Sequence, residues 1–347
     1  MNPSRNYSVR KTPAVTGNVR LQTLSLLLAA SVCGLSVLAA DEAGADLQPA
    51  ATRLVRAHDP STIVKCRDEY WVFCTGHDLP GYHSKDLRAW ESGPRAITNA
   101  PPWAAEAVPQ NSGHDFWAPD IIHLGDCYFL YFAVSTWGKN TSAIGLATNP
   151  TLDPDDSRYR WTDQGIVVQS HATNDFNTID PAVCQDGQRK LWLAFGSFWT
   201  GIKLIELNPT TGLRISPDSR MYSLAHKDMI EASYIYPHEG FYYLFVNWGQ
   251  CCRGVRSTYN IRIGRSAAIT GPYLDKGGMD MMLGGGSLFL TTEGNFIGPG
   301  HAGILPQGST NWFSCHFYDG TRQGRPTLGL LPLQWNADGW PEVGGGH

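Results

Sequence analysis

Five short aromatic runs recur along the chain, and their repetition restricts the fold more than any other feature. The runs begin at Tyr70, Tyr128, Leu191, Tyr242 and Trp312, so successive starts lie 58, 63, 51 and 70 residues apart. A turn rich in glycine, aspartate or charged residues precedes each run, and another apolar stretch precedes that turn. Each unit therefore predicts a strand, a tight turn and a second strand. Such units repeated without long helical periodicity are typical of propeller blades, so we expect an all-β, five-bladed β-propeller.

The same repeat aligns titratable side chains. Four of them lie 11 positions before the start of an aromatic run, namely Asp59, Asp180, Glu231 and His301. In the second unit Asp120 lies 8 positions before Tyr128, two residues after Ala118, which stands at roughly the position equivalent to Asp59. Because the blades of a propeller surround a central channel, we expect these side chains to converge there. An Asp-Pro pair that merely starts a strand explains one such position, but it explains five poorly.

Three of the four residues at the 11-position offset are carboxylates, the chemistry that glycosidic cleavage needs. One carboxyl group protonates the leaving oxygen, and a second activates water or attacks the sugar. A third carboxylate raises the pKa of the acid by like-charge repulsion. The apolar stretch after Glu231 favours its neutral form and thus the acid role, whereas the polar neighbours of Asp59 suit the base. The sequence has neither a C-x-x-C pair typical of a zinc site nor a Ser-His-Asp pattern.

Charge and aromatic content point to a neutral partner. A net charge of −4 gives no electrostatic basis for binding nucleic acid or an anionic membrane. Charged residues make up only 17% of the chain and aromatic residues 11%, which favours stacking surfaces for sugars.

The N-terminal part of the chain differs from the rest. Four basic residues precede an apolar run from Leu21 to Ala40, which predicts a signal peptide over residues 1–40. The alternative is a single membrane anchor, since the run approaches the length that spans a bilayer. Residues 41–53 then form a flexible N-terminus, and residues 54–347 form the propeller. We therefore expect a secreted or periplasmic protein, and a monomer.

Seven cysteines remain after the predicted signal peptide, so at least one thiol stays free or pairs between chains. Cys66 and Cys74 flank one predicted strand, and Cys251 with Cys252 are adjacent in sequence. Either pair is a candidate disulfide, and buried thiols are the simpler expectation for cysteines inside apolar runs.

Several motifs in chain order resemble glycoside hydrolase family 43 over about residues 54–335. They are His58-Asp-Pro-Ser61, Ser84-Lys-Asp-Leu-Arg-Ala-Trp90, Phe116-Trp-Ala-Pro-Asp-Ile121, Val134-Ser-Thr-Trp137, Ser142-Ala-Ile-Gly-Leu-Ala-Thr148, Asn177-Thr-Ile-Asp-Pro181, Gly196-Ser-Phe-Trp199 and Gly298-Pro-Gly-His-Ala-Gly303. The run from Gly249 to Arg265, followed by Thr270-Gly-Pro-Tyr273, is similar to the arabinan-cleaving branch.

The resemblance implies a five-bladed propeller that hydrolyses α-1,5-linked L-arabinan with inversion. Asp59 matches the general base, Glu231 the general acid, and Asp180 the residue that tunes and positions the acid. His301 matches a channel histidine associated with a bound ion, taken to be calcium. Because calcium prefers oxygen ligands, we expect a single histidine contact, with waters completing the shell. Asp120 matches a structural or pocket-shaping position.

The resemblance also implies sugar contacts. They are Trp117, Trp137, Gly138, Asn177, Thr178, Ile179, Ser197, Phe198 and Trp199, in addition to Asp180. Trp117 and Trp137 match aromatic platforms that stack on the apolar face of a sugar. Thr178 stands where the branch usually has alanine, a small change. Phe296-Ile-Gly-Pro lacks the acidic residue often found before Gly-Pro-Gly-His, so the sequence does not predict which residues support His301.

Three rival functions stay open beside an endo-acting arabinanase. An exo-acting enzyme on the same scaffold is the nearest, because loops decide that preference. A member of the family that acts on xylan is a weaker alternative, because the stretch from Cys251 to Tyr273 resembles the arabinan-cleaving branch. A non-catalytic, sugar-binding propeller predicts loss of catalytic carboxylates, and all three are retained.

Overall fold

The computed structural model describes residues 55–111 and 113–344. The predicted signal peptide (1–40) and flexible N-terminus (41–53) lie outside the described residues. The architecture is a five-bladed β-propeller, as predicted, with the blades in a ring. The described helices are α1 (Pro102–Ala107) and three short 3-10 turns at Gly254–Arg256, Met281–Leu283 and Gly320–Arg322. None of these is long and apolar enough to span a membrane.

Each blade contains four antiparallel strands that follow one another in chain order. Blade 1 has β1 (Val64–Cys66), β2 (Glu69–Phe73), β4 (Gly81–Ser84) and β5 (Glu91–Ser92). Blade 2 has β6 (Asp115–Leu124), β7 (Cys127–Val134), β8 (Ser142–Asn149) and β9 (Thr162–Ser170), and the short β3 (Gly76–His77) pairs with β6. Blade 3 has β10 (Ala182–Gln185), β11 (Leu191–Phe195), β12 (Ile202–Leu207) and β13 (Met221–Ala225). Blade 4 has β14 (Ile230–His238), β15 (Phe241–Trp248), β16 (Asn260–Ser266) and β17 (Ser287–Leu290). Blade 5 has β18 (Phe296–Gln307), β19 (Thr310–Asp319), β20 (Arg325–Trp335) and β21 (Pro341–Val343).

The aromatic runs form the second strand of each blade, and the ring of blades explains why they are largely apolar on both faces. Alternate residues of a strand point to opposite faces of its sheet. In β7, Phe129 and Tyr131 pack into a core shared with blade 3, whereas Leu130 and Phe132 pack into a core shared with blade 1. Both faces are therefore buried, and the period-2 pattern of a half-exposed strand is absent.

The ring closes between blade 5 and the segment that leads into blade 1. Arg56 forms an isolated antiparallel bridge with Thr327, and the Ala57 N–H donates to the Pro326 carbonyl. A shared core containing Ala57, Leu305 and Leu330 fills the space between the two blades. Closure brings the first aligned carboxylate, Asp59, next to side chains from blade 5.

One residue near the inner strand of each blade has a positive φ angle. These residues are Asp59 (46°), Ala118 (42°), Asp180 (56°), Ala232 (52°) and His301 (63°). A left-handed residue costs roughly 1–2 kcal/mol, and such strain concentrates at functional sites. The pairing register shifts at this point in blades 2, 4 and 5.

Side chains bind several of the N–H groups of these left-handed residues. The N–H of Ala118 donates to Thr75 Oγ1 at 2.7 Å, and that of Ala232 donates to Asp180 Oδ2 at 3.0 Å. The N–H of Asp59 donates to His316 Nδ1 at 3.1 Å. Each bond joins two blades and turns the polar side chains towards one face of the ring.

Candidate active site

A cleft of about 1340 Å³ opens on the face of the ring where three of the five aligned residues lie. Asp59, Asp180 and Glu231 all line it, and they belong to blades 1, 3 and 4. The convergence expected from the repeat is thus observed for the three carboxylates. In blade 4 the left-handed residue is Ala232, so Glu231 is one position out of register with Asp59 and Asp180.

Asp59 is held as a carboxylate by its hydrogen bonds. His58 Nδ1 donates to Asp59 Oδ2 at 2.7 Å, and Thr75 Oγ1 donates to the same oxygen at 2.7 Å. Burial alone would raise the pKa of Asp59, but attraction to His58 and the bond from it lower the pKa far below its usual value. The pKa of His58 is raised in turn: burial opposes its charge, but Asp59 outweighs burial. Asp59 is therefore ionised at any pH near neutrality.

Behind His58 a hydrogen-bonded chain reaches the cleft wall. Tyr318 Oη lies 2.8 Å from His58 Nε2 and accepts a hydrogen bond of 2.6 Å from the Cys252 N–H. Cys252 forms a disulfide with Cys251, and both residues line the cleft. Of the two candidate pairings, the adjacent one is thus formed, and Cys66 and Cys74 are free buried thiols.

Glu231 and Asp180 form a buried acidic pair whose pKa values are raised, in contrast to that of Asp59. Ser197 Oγ donates to Glu231 Oε2 at 2.7 Å, and Tyr259 Oη donates to Glu231 Oε1. Burial raises the pKa of Glu231, although these two bonds oppose the rise, and Asp59 adds repulsion. Burial and repulsion from Glu231 raise the pKa of Asp180 well above its usual value. Two interacting buried carboxyls titrate as a unit, so the pair retains a proton where an isolated glutamate is ionised.

Exposed aromatic rings border these carboxylates. Trp117 and Trp137 lie with ring centroids 5.6 Å apart, and Trp137 is 73% exposed. Phe198 and Trp199 are also exposed and line the same cleft. Large apolar side chains are rarely left open without a partner. Three of these rings are exposed and Trp117 is half-buried, and all four lie where a sugar face can stack.

The other predicted sugar contacts divide into two groups. Gly138, Asn177, Ile179 and Ser197 line the cleft. Thr178 does not: it is fully buried, and its hydroxyl donates to the Ser142 carbonyl at 2.6 Å. Ser142 Oγ in turn donates to Asn177 Oδ1 at 2.7 Å, so Thr178 helps to hold the blade that presents Asn177.

Asp120 lies away from the cleft and fastens three blades together. Its Oδ1 accepts from the Thr62 N–H at 2.9 Å, and its Oδ2 accepts from the Val183 N–H at 2.8 Å. Burial raises its pKa to about 6, although these hydrogen bonds oppose the rise. The structure therefore gives Asp120 the structural role expected for it.

Replacing Asp120 with alanine is expected to lower the free energy of unfolding by about 2–4 kcal/mol, because two buried N–H groups lose their acceptor. Urea denaturation at pH 7 measures this. The matched control is Asp126→Ala, since Asp126 is exposed in the turn after β6, and its effect is expected to stay within about 0.5 kcal/mol. Equal stability of the two variants would contradict the structural role of Asp120.

His301 lies beside Asp59 and satisfies part of what an ion site requires. Its Nδ1 is 3.7 Å from Asp59 Oδ1, and burial lowers its pKa, so the ring is neutral and able to bind a metal. Among the described residues, His301 belongs to no group of three ligand-bearing side chains. Waters would therefore fill most of the six to eight positions that calcium takes, a donor set that suits a hydrated ion.

Several residues of the site were not predicted from the sequence. Tyr259 contacts Glu231, yet it lies in the stretch from Gly249 to Arg265, which was used only for its resemblance to the arabinan-cleaving branch. His316 stacks on His58 at 4.4 Å, and it is the last residue of the fifth aromatic run. Tyr259 lies in the loop just before β16, and His316 lies on β19, so neither occupies the position 11 residues before an aromatic run that marked the other candidates.

Comparison with known proteins agrees with this geometry. Residues 53–341 match glycosyl hydrolases family 43. An extracellular exo-α-(1→5)-L-arabinofuranosidase of Cellvibrio japonicus is 37% identical over 93% of this chain and 91% of its own. An extracellular endo-α-(1→5)-L-arabinanase of Bacillus subtilis is 38% identical over 90% of this chain and 95% of its own. The structure of Cellvibrio cellulosa α-L-arabinanase complexed with arabinohexaose superposes with a TM-score of 0.80, at 38% identity, over 84% of this chain and 96% of that one. The chain belongs to glycosyl hydrolase family 43.

Proposed function

We propose that this protein is a secreted arabinanase that cleaves α-1,5-linked L-arabinan within the chain, with inversion at the anomeric carbon. The observation that carries the proposal is the convergence in one cleft of a carboxylate held ionised, Asp59, and an acidic pair that holds a proton, Glu231 with Asp180. Relatives that are named for arabinan supply the substrate class. Two of these relatives are also named extracellular, which agrees with the signal peptide expected from the sequence.

In the proposed mechanism, Glu231 gives its proton to the glycosidic oxygen while a water molecule attacks the anomeric carbon from the opposite face. Asp59 takes the proton from that water. Because the attack and the departure occur on opposite faces, the product has inverted configuration. Asp180 and Glu231 repel each other as charges, so the buried pair retains a proton, and Asp180 fixes the backbone after Glu231 by accepting the Ala232 N–H. A base that stays ionised and an acidic pair whose pKa values are raised are thus present together in the cleft.

The pH dependence of kcat/KM is expected to report this repulsion. Activity needs protonated Glu231, so the rate falls as pH rises through the raised pKa of the pair. Asp180→Asn removes the neighbouring charge, so the pKa of Glu231 falls and the basic limb moves to lower pH by about one unit or more. The acidic limb follows Asp59 and stays in place. Asp126→Asn, at an exposed position, is the control; if the basic limb of Asp180→Asn coincided with that of the control, the modulating role of Asp180 would be refuted.

Trp137→Ala is expected to raise KM for linear arabinan about threefold to tenfold, because a stacked aromatic face contributes about 0.5–1.5 kcal/mol. Trp137 is so exposed that the melting temperature is expected to stay unchanged. Initial rates over a range of arabinan concentrations measure the effect. An unchanged KM would remove Trp137 from the sugar-binding surface.

The endo mode is tested by the products of linear arabinan over time. The cleft volume exceeds the roughly 300–1,000 Å³ of typical small-ligand pockets, which supports binding of several sugar units. Internal cleavage is expected to give a ladder of oligosaccharides early in the reaction. A single short product from the first minutes onward would instead establish the second candidate, an exo-acting arabinanase, which the 37% identical Cellvibrio japonicus relative favours.

We also propose that a hydrated calcium ion lies in the central channel against His301. The neutral ring next to Asp59 supports this, and the ion would add positive charge near the base. Treatment with a chelator is expected to lower both the melting temperature and the rate, and calcium is expected to restore them. No change in either quantity would argue against the ion.

A further inference from the structure

A second cluster of polar side chains lies at the edge of the cleft, outside the catalytic group. It consists of His77, Asp78 and His114, and we refer to it as the rim cluster. Its ligand atoms, one from each residue, all lie within 4.8 Å of one another. We propose that the rim cluster binds one Zn²⁺ ion and that the ion fastens this wall of the cleft. The proposal is independent of which glycosidic bond the enzyme cleaves.

The distances suit a zinc ion after a small adjustment. His77 Nε2 lies 3.4 Å from Asp78 Oδ2, and His114 Nδ1 lies 2.6 Å from Asp78 Oδ1. Bonds of about 2.0–2.1 Å in a tetrahedral site place neighbouring ligand atoms about 3.3 Å apart. The first pair already has this separation, and the second, which involves the other oxygen of Asp78, has to open by less than 1 Å. The two imidazole rings have centroids 5.2 Å apart.

The backbone around the rim cluster holds its members in place without a metal. The Asp78 N–H donates to the His114 carbonyl at 2.9 Å, and His77 pairs with Asp115 where β3 meets β6. Asp78 and Leu79 both have positive φ angles, 58° and 52°, a costly conformation for residues other than glycine. A metal bound here would stabilise two consecutive strained residues.

The donor set selects the class of metal. Two imidazole nitrogens with one carboxylate oxygen suit zinc and similar transition metals, whereas calcium and magnesium prefer oxygen ligands. Three protein ligands leave a fourth position for water or a sugar hydroxyl. The Arg95 guanidinium donates to the His77 carbonyl and so places one positive charge nearby, while Asp78 offsets part of the charge of the ion.

The position of the rim cluster connects it to substrate binding. His77 lines the cleft, and His114 directly precedes β6, the strand that carries Trp117 three residues later. Gly76 pairs with Phe116, the neighbour of Trp117. An ion that joins His77 to His114 therefore fixes the loop from blade 1 against the strand that carries an aromatic platform.

The test uses the mature chain without a polyhistidine tag, stripped of metal and kept in constant calcium. Zn²⁺ is titrated in competition with a chromogenic chelator, and the visible absorption of bound Co²⁺ is recorded in parallel. The wild type is expected to bind one equivalent and to melt at a higher temperature with Zn²⁺. His77→Ala, His114→Ala and Asp78→Asn are each expected to weaken binding at least tenfold and to lose the rise in melting temperature.

The variants are chosen so that loss of folding does not imitate loss of the site. His77 is largely exposed, and asparagine tolerates the left-handed conformation at position 78. The control is His171→Ala, an exposed histidine outside the rim cluster, which is expected to bind Zn²⁺ like the wild type. The proposal is overturned if the wild type binds no Zn²⁺ at 100-fold excess, or if the rim-cluster variants bind as tightly as the control.

Discussion

Glu231→Gln is expected to lower kcat on linear arabinan by about 10³-fold, because general acid catalysis contributes roughly 10²–10⁴ to such a reaction. Glutamine has nearly the same shape: its amide oxygen accepts from one of the hydroxyls of Ser197 and Tyr259, and its amide nitrogen donates to the other once that hydroxyl rotates, so the side chain is expected to stay in place. It has no proton to donate to the leaving oxygen. Binding of arabinan is expected to persist, which separates the loss of chemistry from the loss of the site.

A substrate with a good leaving group distinguishes an acid from a residue that merely shapes the cleft. In an aryl arabinofuranoside, an acidic phenol leaves as the phenolate without being protonated. Glu231→Gln is therefore expected to lose far less activity on this substrate than on arabinan. Equal losses on the two substrates would contradict the acid role of Glu231. Asp180→Asn serves as the matched comparison, because it removes the other member of the buried pair and leaves the donor present.

Asp59→Asn is expected to lower kcat by about 10³-fold or more on both substrates, because water must be activated whichever leaving group departs. Asparagine tolerates the positive φ at position 59 and still accepts a hydrogen bond from Thr75. The fold is therefore expected to survive, as circular dichroism and the melting temperature check. Removal of the charge also ends the attraction that raises the pKa of His58.

The two substrates together give Asp59 and Glu231 distinct signatures. Loss of the base affects arabinan and the aryl glycoside alike, and loss of the acid affects mainly arabinan. If the activated substrate rescued Asp59→Asn and did not rescue Glu231→Gln, the two roles would have to be exchanged. Residual activity near that of the wild type in Asp59→Asn would remove Asp59 from the reaction.

The repeat of aromatic runs was sufficient to predict the fold, since a strand covered on both faces leaves a largely apolar signal on both faces. The same repeat placed Asp59, Asp180 and Glu231 together, because equivalent positions on blades of a ring face one centre. It did not reveal that Ala232 takes the left-handed conformation in blade 4. That shift depends on the hydrogen bond from its N–H to Asp180, a contact between two blades that no single repeat contains.

Contacts between distant segments account for the rest of what the sequence did not show. Thr178 occupies a position of a sugar-binding motif, yet its hydroxyl donates a hydrogen bond to the Ser142 carbonyl inside the protein. The hydrogen bonds from the Cys252 N–H to Tyr318 and between Tyr318 and His58 join residues that lie far apart in sequence. Composition and spacing carry no information about such partners, whereas the closed ring determines them.

The configuration of the first product tests the three-carboxylate account most directly. Proton NMR, recorded within the first minutes of arabinan hydrolysis and before mutarotation, shows which anomer forms at the new reducing end. With Asp59 as a base that activates water, the β anomer is expected first and the α anomer only later. Early appearance of the α anomer would mean retention through a covalent intermediate, and it would contradict the roles proposed for Asp59 and Glu231.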